Sequence, residues 1–252
     1  MAERPLADLD IIVTRPREQA AGLMRRLQAL GATAHLLPLL EILPAADQAA
    51  LQAFAQQVAA YQLLIFISPN AVRYGMAALR QIPPGVRVAA VGQGSAQALR
   101  ALGVTDIIVP AERQDSEGLL DQPALQQVAG WRIAIVRGDG GRELLGDTLR
   151  ARGAEVEYVT SYQRSTPALD AAAWRAIGPD VILVTSSEAL AHLWQGLRTE
   201  AAVLAQHATL LVIHPRIAQA AQQQGWRSVV IAPGGDDGIC DGLVAWAAQH
   251  RK

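Results

Sequence analysis

Six short polar segments stand directly after apolar runs of strand length, and they hold the residues best suited to chemistry. Each segment precedes a predicted helix and combines hydroxyls, glycines, histidine or arginines. They are Thr14-Arg15-Pro16, Ser68-Pro69-Asn70, Gly92-Gln93-Gly94-Ser95, Arg137-Gly138-Asp139-Gly140-Gly141-Arg142, Thr185-Ser186-Ser187 and His214-Pro215-Arg216. Backbone N–H groups at helix starts, hydroxyls and guanidinium groups all bind anions. The residue types therefore indicate a site for a large anion.

Helix capping is the competing interpretation of each hydroxyl and amide, because Ser, Thr and Asn are favoured at N-caps whatever the function. The arginines have a similar alternative. Arg15 and Arg137 could bind carboxylates of a ligand, or they could pair within the chain with Glu18, Asp139 or Glu143. The sequence leaves both interpretations open for any one residue, and it favours anion binding for the six segments together.

Other motifs lack a residue that their chemistry needs. "VGQGSAQ" opens a helix after a strand, but Gln97 occupies the third glycine of the dinucleotide fingerprint. "RGDGGR" lacks the lysine and hydroxyl of a P-loop. The five histidines show no ligand spacing, and the single cysteine, Cys240, excludes an internal disulfide. We therefore expect neither a metal site nor an activated serine.

Apolar runs alternate with helical patterns along the chain, which predicts an α/β fold with parallel strands. The runs lie in "LDIIVT", "LLIFIS", "VRVAAVG", "WRIAIVR", "DVILVTS" and "ATLLVIH". In an open parallel sheet, ligands bind beyond the carboxyl ends of the strands. Because every polar segment follows a strand, we expect all of them at such an edge.

An internal repeat divides the chain into two similar halves. Arg15, Leu27 and Gly31 recur 122 residues later as Arg137, Leu149 and Gly153. The connectors "LLPLLEILP" (36–44) and "VTSYQRSTP" (159–167) occupy the same place in the two halves, and each ends in proline. The pattern predicts two α/β domains with paired crossings. It leaves open whether each half folds by itself or the halves exchange their first units.

The composition excludes several classes of protein. A formal net charge of −1 over 252 residues offers no electrostatic reason for nucleic acid or an anionic membrane as partner. The content of 51% hydrophobic and 18% charged residues is typical of a folded soluble protein. No apolar run approaches the ~20 residues that cross a bilayer, and "MAERPLADLD" has charges where a signal peptide is apolar. We therefore expect a cytoplasmic protein.

A series of motifs occurs in a fixed order over nearly the whole chain. They are "VTRP" (13–16), "SPNAV" (68–72), "VGQGSAQAL" (91–99), "SEGLL" (116–120), "RGDGGRELL" (137–145), "SYQRS" (161–165), "TSSEAL" (185–190) and "HPRIAQAAQQQGW" (214–226). Each motif is weak alone, but their order and spacing together are specific, and together they resemble the uroporphyrinogen-III synthase family.

The resemblance implies two flavodoxin-like parallel-sheet domains joined by a two-stranded linker. Residues 1–38 and 166–252 would form a discontinuous first domain, and residues 44–159 the second. Segments 39–43 and 160–165 would be the interdomain linkers. The paired connectors of the repeat are what this arrangement requires.

The resemblance also implies the substrate hydroxymethylbilane, a linear tetrapyrrole with acetate and propionate groups on every ring, held between the domains. The reaction loses the terminal hydroxyl and closes the macrocycle with ring D inverted, without a cofactor. Tyr162 matches the family tyrosine near the departing hydroxyl and is the expected catalytic residue. The polar segments supply the expected substrate-binding residues, which are Arg15, Ser68, Asn70, Gly92, Gly94, Ser95, Arg137, Gly138, Asp139, Ser186, Ser187, His214 and Arg216. We expect a monomer without nucleic-acid or membrane partners, in transient contact with the enzyme that makes hydroxymethylbilane.

Two alternatives share part of this pattern. A two-lobed α/β small-molecule binding protein without catalysis would also have two similar domains, but the chain shows no export segment. A two-domain enzyme of the glycosyltransferase kind would need a nucleotide-sugar diphosphate clamp, and no motif resembles one. Turnover of hydroxymethylbilane would exclude the first alternative.

Overall fold

Strands and helices alternate along residues 4–250, the part of the chain that the computed structural model describes. The strands are β1 (Asp10–Val13), β2 (Thr33–Leu36), β3 (Glu41–Pro44), β4 (Leu63–Phe66), β5 (Arg87–Ala90), β6 (Arg132–Gly138), β7 (Glu155–Ser165), β8 (Val181–Val184), β9 (Thr209–Val212) and β10 (Ser228–Ile231). The helices are α1 (Arg17–Ala29), α2 (Gln48–Gln57), α3 (Pro69–Leu79), α4 (Gln93–Ala101), α5 (Ser116–Leu120), α6 (Leu144–Ala151), α7 (Ala171–Ile177), α8 (Ser187–Leu197), α9 (Thr199–His207), α10 (Pro215–Gln223) and α11 (Gly235–His250). Within this part of the chain, no helix is long and apolar enough to cross a membrane.

Contacts divide these elements into two units, one of which is discontinuous in sequence. The first unit holds the described residues up to Glu41 together with those from Ser165 onward, and the second holds Ile42–Arg164. Each unit has one five-stranded sheet. The expected α/β class with two parallel-sheet units is confirmed.

The sheet of the first unit has the strand order β10-β9-β8-β1-β2, and all neighbouring strands are parallel. Strands β8 and β9 are buried along their whole length. Alternate residues of β8 enter different core clusters: Ile182 packs with the fully buried Trp174, and Leu183 packs with Ile239 of α11. Burial on both faces explains why these strands read as continuous apolar runs rather than as alternating patterns.

The sheet of the second unit has the order β3-β7-β6-β4-β5. Strand β4 is parallel to β5 and β6, and β6 is parallel to β7. Helix α3 packs closely on this sheet, because a Cβ added to Gly75 would lie only 2.8 Å from Val136 and 3.1 Å from Phe66. The close approach fixes the start of α3, where Ser68 and Asn70 lie.

The two sequence halves exchange their first strands. In the first unit, β1 of the N-terminal half pairs with β8 of the C-terminal half through Ile11 and Val181. In the second unit the repeat-equivalent strands pair in the same way, with Leu64 of β4 opposite Ala134 of β6. The structure thus answers the question that the repeat left open, because each sheet takes strands from both halves.

The two connectors of the repeat are extended, as their prolines and apolar residues suggest. Glu41–Pro44 forms β3, and residues 160–165 are the last part of the long strand β7. The two strands are neighbours in the second sheet, and the Ala45 N–H donates to the Ser161 carbonyl at 3.3 Å. Most of the expected linker residues are therefore hydrogen-bonded strand residues of that sheet.

Candidate functional site

In the second unit, the polar segments meet at the carboxyl edge of the sheet, as expected for parallel strands. Ser68 follows β4, Gly92 follows β5 and Gly138 ends β6. Ser68 is the N-cap of α3, and its Oγ accepts a hydrogen bond from the Ala71 N–H at 3.1 Å. Ser68 is therefore a helix cap, as the capping interpretation predicts, and its hydroxyl has one further contact.

The Tyr162 hydroxyl lies 3.2 Å from the Ser68 Oγ. Tyr162 is only 3% exposed, and its ring stacks on Tyr74 with the centroids 6.2 Å apart. The ring also lies against the backbone of Gly138, where an added Cβ would be 2.8 Å from the ring. Three residues that the sequence analysis selected separately, Tyr162, Ser68 and Gly138, thus form one cluster.

Arg137 holds the glycine-rich loop that follows β6. Its side chain is 7% exposed, its Nε donates to the Gly140 carbonyl at 3.2 Å, and it pairs with Glu143 at 3.1 Å. The guanidinium also lies 4.5 Å from the centroid of the Tyr158 ring. Hydrogen bonding with Tyr158, and then with Arg137, lowers the pKa of Glu143, so this carboxyl is ionised at neutral pH. Of the internal partners considered for Arg137, Glu143 is the one observed.

Asp139 joins the same loop to β7. Its backbone N–H donates to the Tyr162 carbonyl at 3.1 Å, and its Oδ1 accepts the Arg164 N–H at 3.0 Å. The register of β6 against β7 shifts between Arg137 and Gly138. The shift places the loop beside Tyr162, and Asp139 keeps it there.

The start of α4 has a partner that the sequence analysis missed. The Gln93 N–H donates to the Gln114 Oε1 at 2.7 Å. Gln114 lies between predicted elements, so no helical or strand pattern marks it. Among the expected residues here, Ser95 is 3% exposed, whereas Gly94 is exposed and lies next to Pro69. Ser95 therefore lies in the core side of α4, and Gly94 lies on its exposed side.

In the first unit, the expected residues also follow the strands at the carboxyl edge. Arg15 pairs with Asp236 at 2.5 Å. Ser186 caps α8 by accepting the Ala189 N–H at 3.1 Å. The Ser187 Oγ is buried and has no hydrogen-bond partner among residues 4–250. No sequence pattern connects Asp236 with Arg15, because 221 residues separate them.

His214 caps α10 through its ring. Its Nδ1 accepts the Arg216 N–H at 3.1 Å, and both residues are exposed. Each unit therefore presents helix starts with N–H groups, hydroxyls and arginines at one edge of its sheet. Such an edge can bind carboxylates, and in the second unit it also contains a phenol–hydroxyl pair that can donate or accept hydrogen bonds.

Comparison with known proteins agrees with these features. A family model described as uroporphyrinogen-III synthase HemD matches residues 22–237. The chain is 36% identical to uroporphyrinogen-III synthase from Salmonella typhimurium over 241 residues, which cover 91% of this chain and 97% of that protein. It is 37% identical to the Escherichia coli protein of the same name over 244 residues, with the same coverage.

Two solved structures share the fold. Uroporphyrinogen III synthase from Thermus thermophilus, a mutant form, matches with a TM-score of 0.58 at 20% identity, covering 96% of this chain and 100% of the other. The enzyme from Helicobacter pylori matches with a TM-score of 0.60 at 14% identity, covering 96% and 99%. At these identities the structures support the fold, whereas the family model and the bacterial relatives support the assignment. The chain belongs to the uroporphyrinogen-III synthase family.

Proposed function

We propose that the chain acts as a hydro-lyase that cyclises hydroxymethylbilane to uroporphyrinogen III. The observation that carries the proposal is the identity of 36% to 37% to two named bacterial synthases over 91% of the chain. The linear substrate would lose its terminal hydroxyl as water and form an azafulvene. Attack by the substituted carbon of ring D gives a spiro intermediate, which fragments and recloses with ring D inverted.

In this proposal, Tyr162 donates a hydrogen bond to the departing hydroxyl. A well-placed general acid contributes typically ~10²–10⁴-fold in rate. Because Tyr162 is 3% exposed and lies against Ser68, we propose that the substrate hydroxyl replaces the Ser68 contact on binding. Ser68 then serves to hold the phenol in place before the substrate arrives.

The carboxylates of the substrate would be held by the helix starts and arginines of the polar segments. A helix N-terminus contributes roughly 0.3–1 kcal/mol to one exposed anion, so the proposal requires many small contributions rather than one dominant contact. The proposed set is Arg15, Ser68, Asn70, Gly92, Gly94, Ser95, Arg137, Gly138, Asp139, Ser186, Ser187, His214 and Arg216. For Arg137, a substrate carboxylate would have to compete with Glu143.

We also propose a monomeric, cytoplasmic enzyme that receives its substrate from the enzyme that makes hydroxymethylbilane. We further propose a first domain of residues 1–38 and 166–252, a second domain of residues 44–159, and linkers at 39–43 and 160–165. Residues 1–3 and 251–252 of the first domain lie outside the part of the chain that the structure describes.

Product-isomer analysis tests the reaction directly. Hydroxymethylbilane closes without assistance to isomer I, whereas the proposed enzyme gives isomer III. We expect the purified chain to convert freshly prepared hydroxymethylbilane mainly to isomer III, as resolved by chromatography, with heat-inactivated chain as the control. A product mixture identical to the control would contradict the proposal.

A further inference from the structure

Tyr74 lies beside the proposed catalytic tyrosine and has a fixed position of its own. It is half-buried on α3, and its hydroxyl donates to the Ile42 carbonyl in β3 at 2.9 Å. Its ring stacks on the Tyr162 ring, with 6.2 Å between centroids and 28° between planes. Tyr74 therefore connects three elements of the second unit: α3, β3 and β7.

Helix α3, which carries Tyr74, is held in place at its N-cap, Ser68, and at Gly75. Ser68 caps its first turn and contacts the Tyr162 hydroxyl at 3.2 Å. Gly75, the residue after Tyr74, allows close packing, because a Cβ there would lie 2.8 Å from Val136. Because α3 is packed this closely, the Tyr74 ring has a fixed position and restricts the position of the Tyr162 ring that stacks on it.

The Tyr162 ring is also restricted on the side that faces Gly138. The backbone of Gly138 lies against the ring, since a Cβ added to Gly138 would be 2.8 Å from two ring carbons and 3.2 Å from the hydroxyl oxygen. Stacked aromatic pairs have preferred offsets, so the Tyr74 ring limits where the Tyr162 ring can lie. Gly138 and Tyr74 together leave the hydroxyl directed at Ser68.

We infer that Tyr74 is a positioning residue for the reaction: through its stack on Tyr162 and its hydrogen bond to Ile42, it keeps the Tyr162 hydroxyl at the place where proton donation occurs. The inference rests on the proposed role of Tyr162. Tyr74 does not donate to the substrate in this scheme, because its own hydroxyl is committed to the Ile42 carbonyl.

A kinetic double-mutant cycle tests the inference. Tyr74→Phe keeps the stack and removes the tether to Ile42, whereas Tyr74→Leu removes both. Because a misplacement of about 1 Å can cost roughly 10²-fold, we expect Tyr74→Leu to lower kcat by about ten- to a hundredfold with little change in KM, and Tyr74→Phe to lose less. In a Tyr162→Phe background, Tyr74→Leu should cause almost no further loss of kcat.

A matched control separates positioning from general support of the fold. Tyr61→Phe removes the hydroxyl of another tyrosine of the same unit, one that donates to Glu157 rather than to the Ile42 carbonyl. We expect Tyr61→Phe to lower the midpoint of urea unfolding and to leave kcat unchanged. Tyr74→Leu should differ from this control by lowering kcat in the folded enzyme.

Each outcome decides one question. An equal loss of kcat from Tyr74→Leu in both backgrounds, or no loss in either, would overturn the positioning role. If Tyr74→Leu does not fold, the same cycle with Tyr74→Phe replaces it, and additivity there overturns the inference. If the wild type forms isomer III and Tyr162→Phe is fully active, Tyr162 has no role as a donor, and Tyr74 has no role in positioning it. The proposed reaction would still hold in that case. Absence of isomer III from the wild type would instead contradict the proposed reaction.

Discussion

The backbone at Gly138 lies so close to the Tyr162 ring that only glycine fits without a shift. A Cβ at this position would be 2.8 Å from the ring, well inside normal contact. The φ angle of Gly138 is not in the left-handed region, so a side chain at this position is disfavoured only by steric overlap with the Tyr162 ring. A residue with a side chain at 138 would have to move either the ring or the loop.

Gly138→Ala tests this constraint. We expect a loss of about 1–3 kcal/mol in the free energy of unfolding from overpacking, together with a lower kcat because the Tyr162 hydroxyl moves from Ser68. Urea unfolding and the rate of isomer III formation measure the two effects. Gly234→Ala is the matched control, because a Cβ there meets no atom within 4 Å. Wild-type stability of Gly138→Ala would show that the ring can yield at no cost.

The loop after β6 depends on one buried cation. Arg137 binds the Gly140 carbonyl and Glu143, and a Cβ added to Gly141 would lie 3.1 Å from the Nη2 atom of Arg137. The guanidinium thus organises both the middle and the end of the loop. The same side chain could hold the loop for the substrate or bind a substrate carboxylate itself.

Paired substitutions distinguish these two roles of Arg137. If it acts through the loop, Arg137→Ala and Glu143→Gln should both raise KM, since each breaks the same pair. If it binds substrate directly, Glu143→Gln should leave KM the same or lower it, and Arg137→Ala should raise it about tenfold or more with weaker dependence on salt. Steady-state kinetics at two ionic strengths measure the difference. Unchanged KM in both variants would exclude both roles.

Tyr61 and Glu157 join the segment before β4 to β7 and make the second unit sensitive to alkaline pH. Burial, and then the hydrogen bond to Glu157, raises the pKa of Tyr61 from 10.0 to about 12. In the unfolded chain the phenol loses its proton near pH 10. The unfolded state therefore binds fewer protons between pH 10 and 12, and the free energy of unfolding falls as the pH rises through that window.

We expect Tyr61→Phe to reduce this alkaline loss. The stabilisation from the phenol is fully present below pH 10 and is lost by about pH 12, so the wild type should lose more stability than the variant across that window. Urea unfolding of both proteins at pH 8, 10 and 11 measures the slopes. Parallel slopes above pH 10 would contradict the assigned pKa of Tyr61.

Local features of the site could be predicted from the sequence, and distant pairings could not. Ser68 and Ser186 cap helices through N–H groups three residues away, a contact that the local pattern already contains. The partners Arg15 and Asp236 are 221 residues apart, and Ser68 and Tyr162 are 94 apart. Such contacts depend on the order of strands in a sheet, which the apolar patterns leave undetermined.

At the scale of the whole molecule, the exchange of strands between the halves makes one unit continuous in sequence and the other discontinuous. The second unit is one continuous segment, Ile42–Arg164, with its own core residues on both faces of its sheet. The first unit needs β1 and β2 from the beginning of the chain and β8 to β10 from its last third. A fragment can contain a complete sheet only if it respects this division.

Fragments of the chain test the exchange. We expect a 42–164 fragment to show a cooperative urea transition by circular dichroism, because it contains all strands of its sheet except the end residues Glu41 of β3 and Ser165 of β7. A 1–122 fragment, cut between the repeats, should show no such transition, since β1 lacks β8 and β4 lacks β6. Cooperative folding of 1–122 would mean that each repeat can fold by itself.

The pairing of Ile11 with Val181 also sets a waiting time during synthesis. The two residues are 170 positions apart, and ribosomes add about 5–20 residues per second, so β1 emerges roughly 10–30 s before its central partner. The 42–164 segment is completed within that interval and can fold first. Strand β1 is apolar, and the N–H and C=O groups along its β8 edge stay unpaired until β8 arrives, so we expect the nascent N-terminal segment to be open to chaperones and to aggregation during that interval.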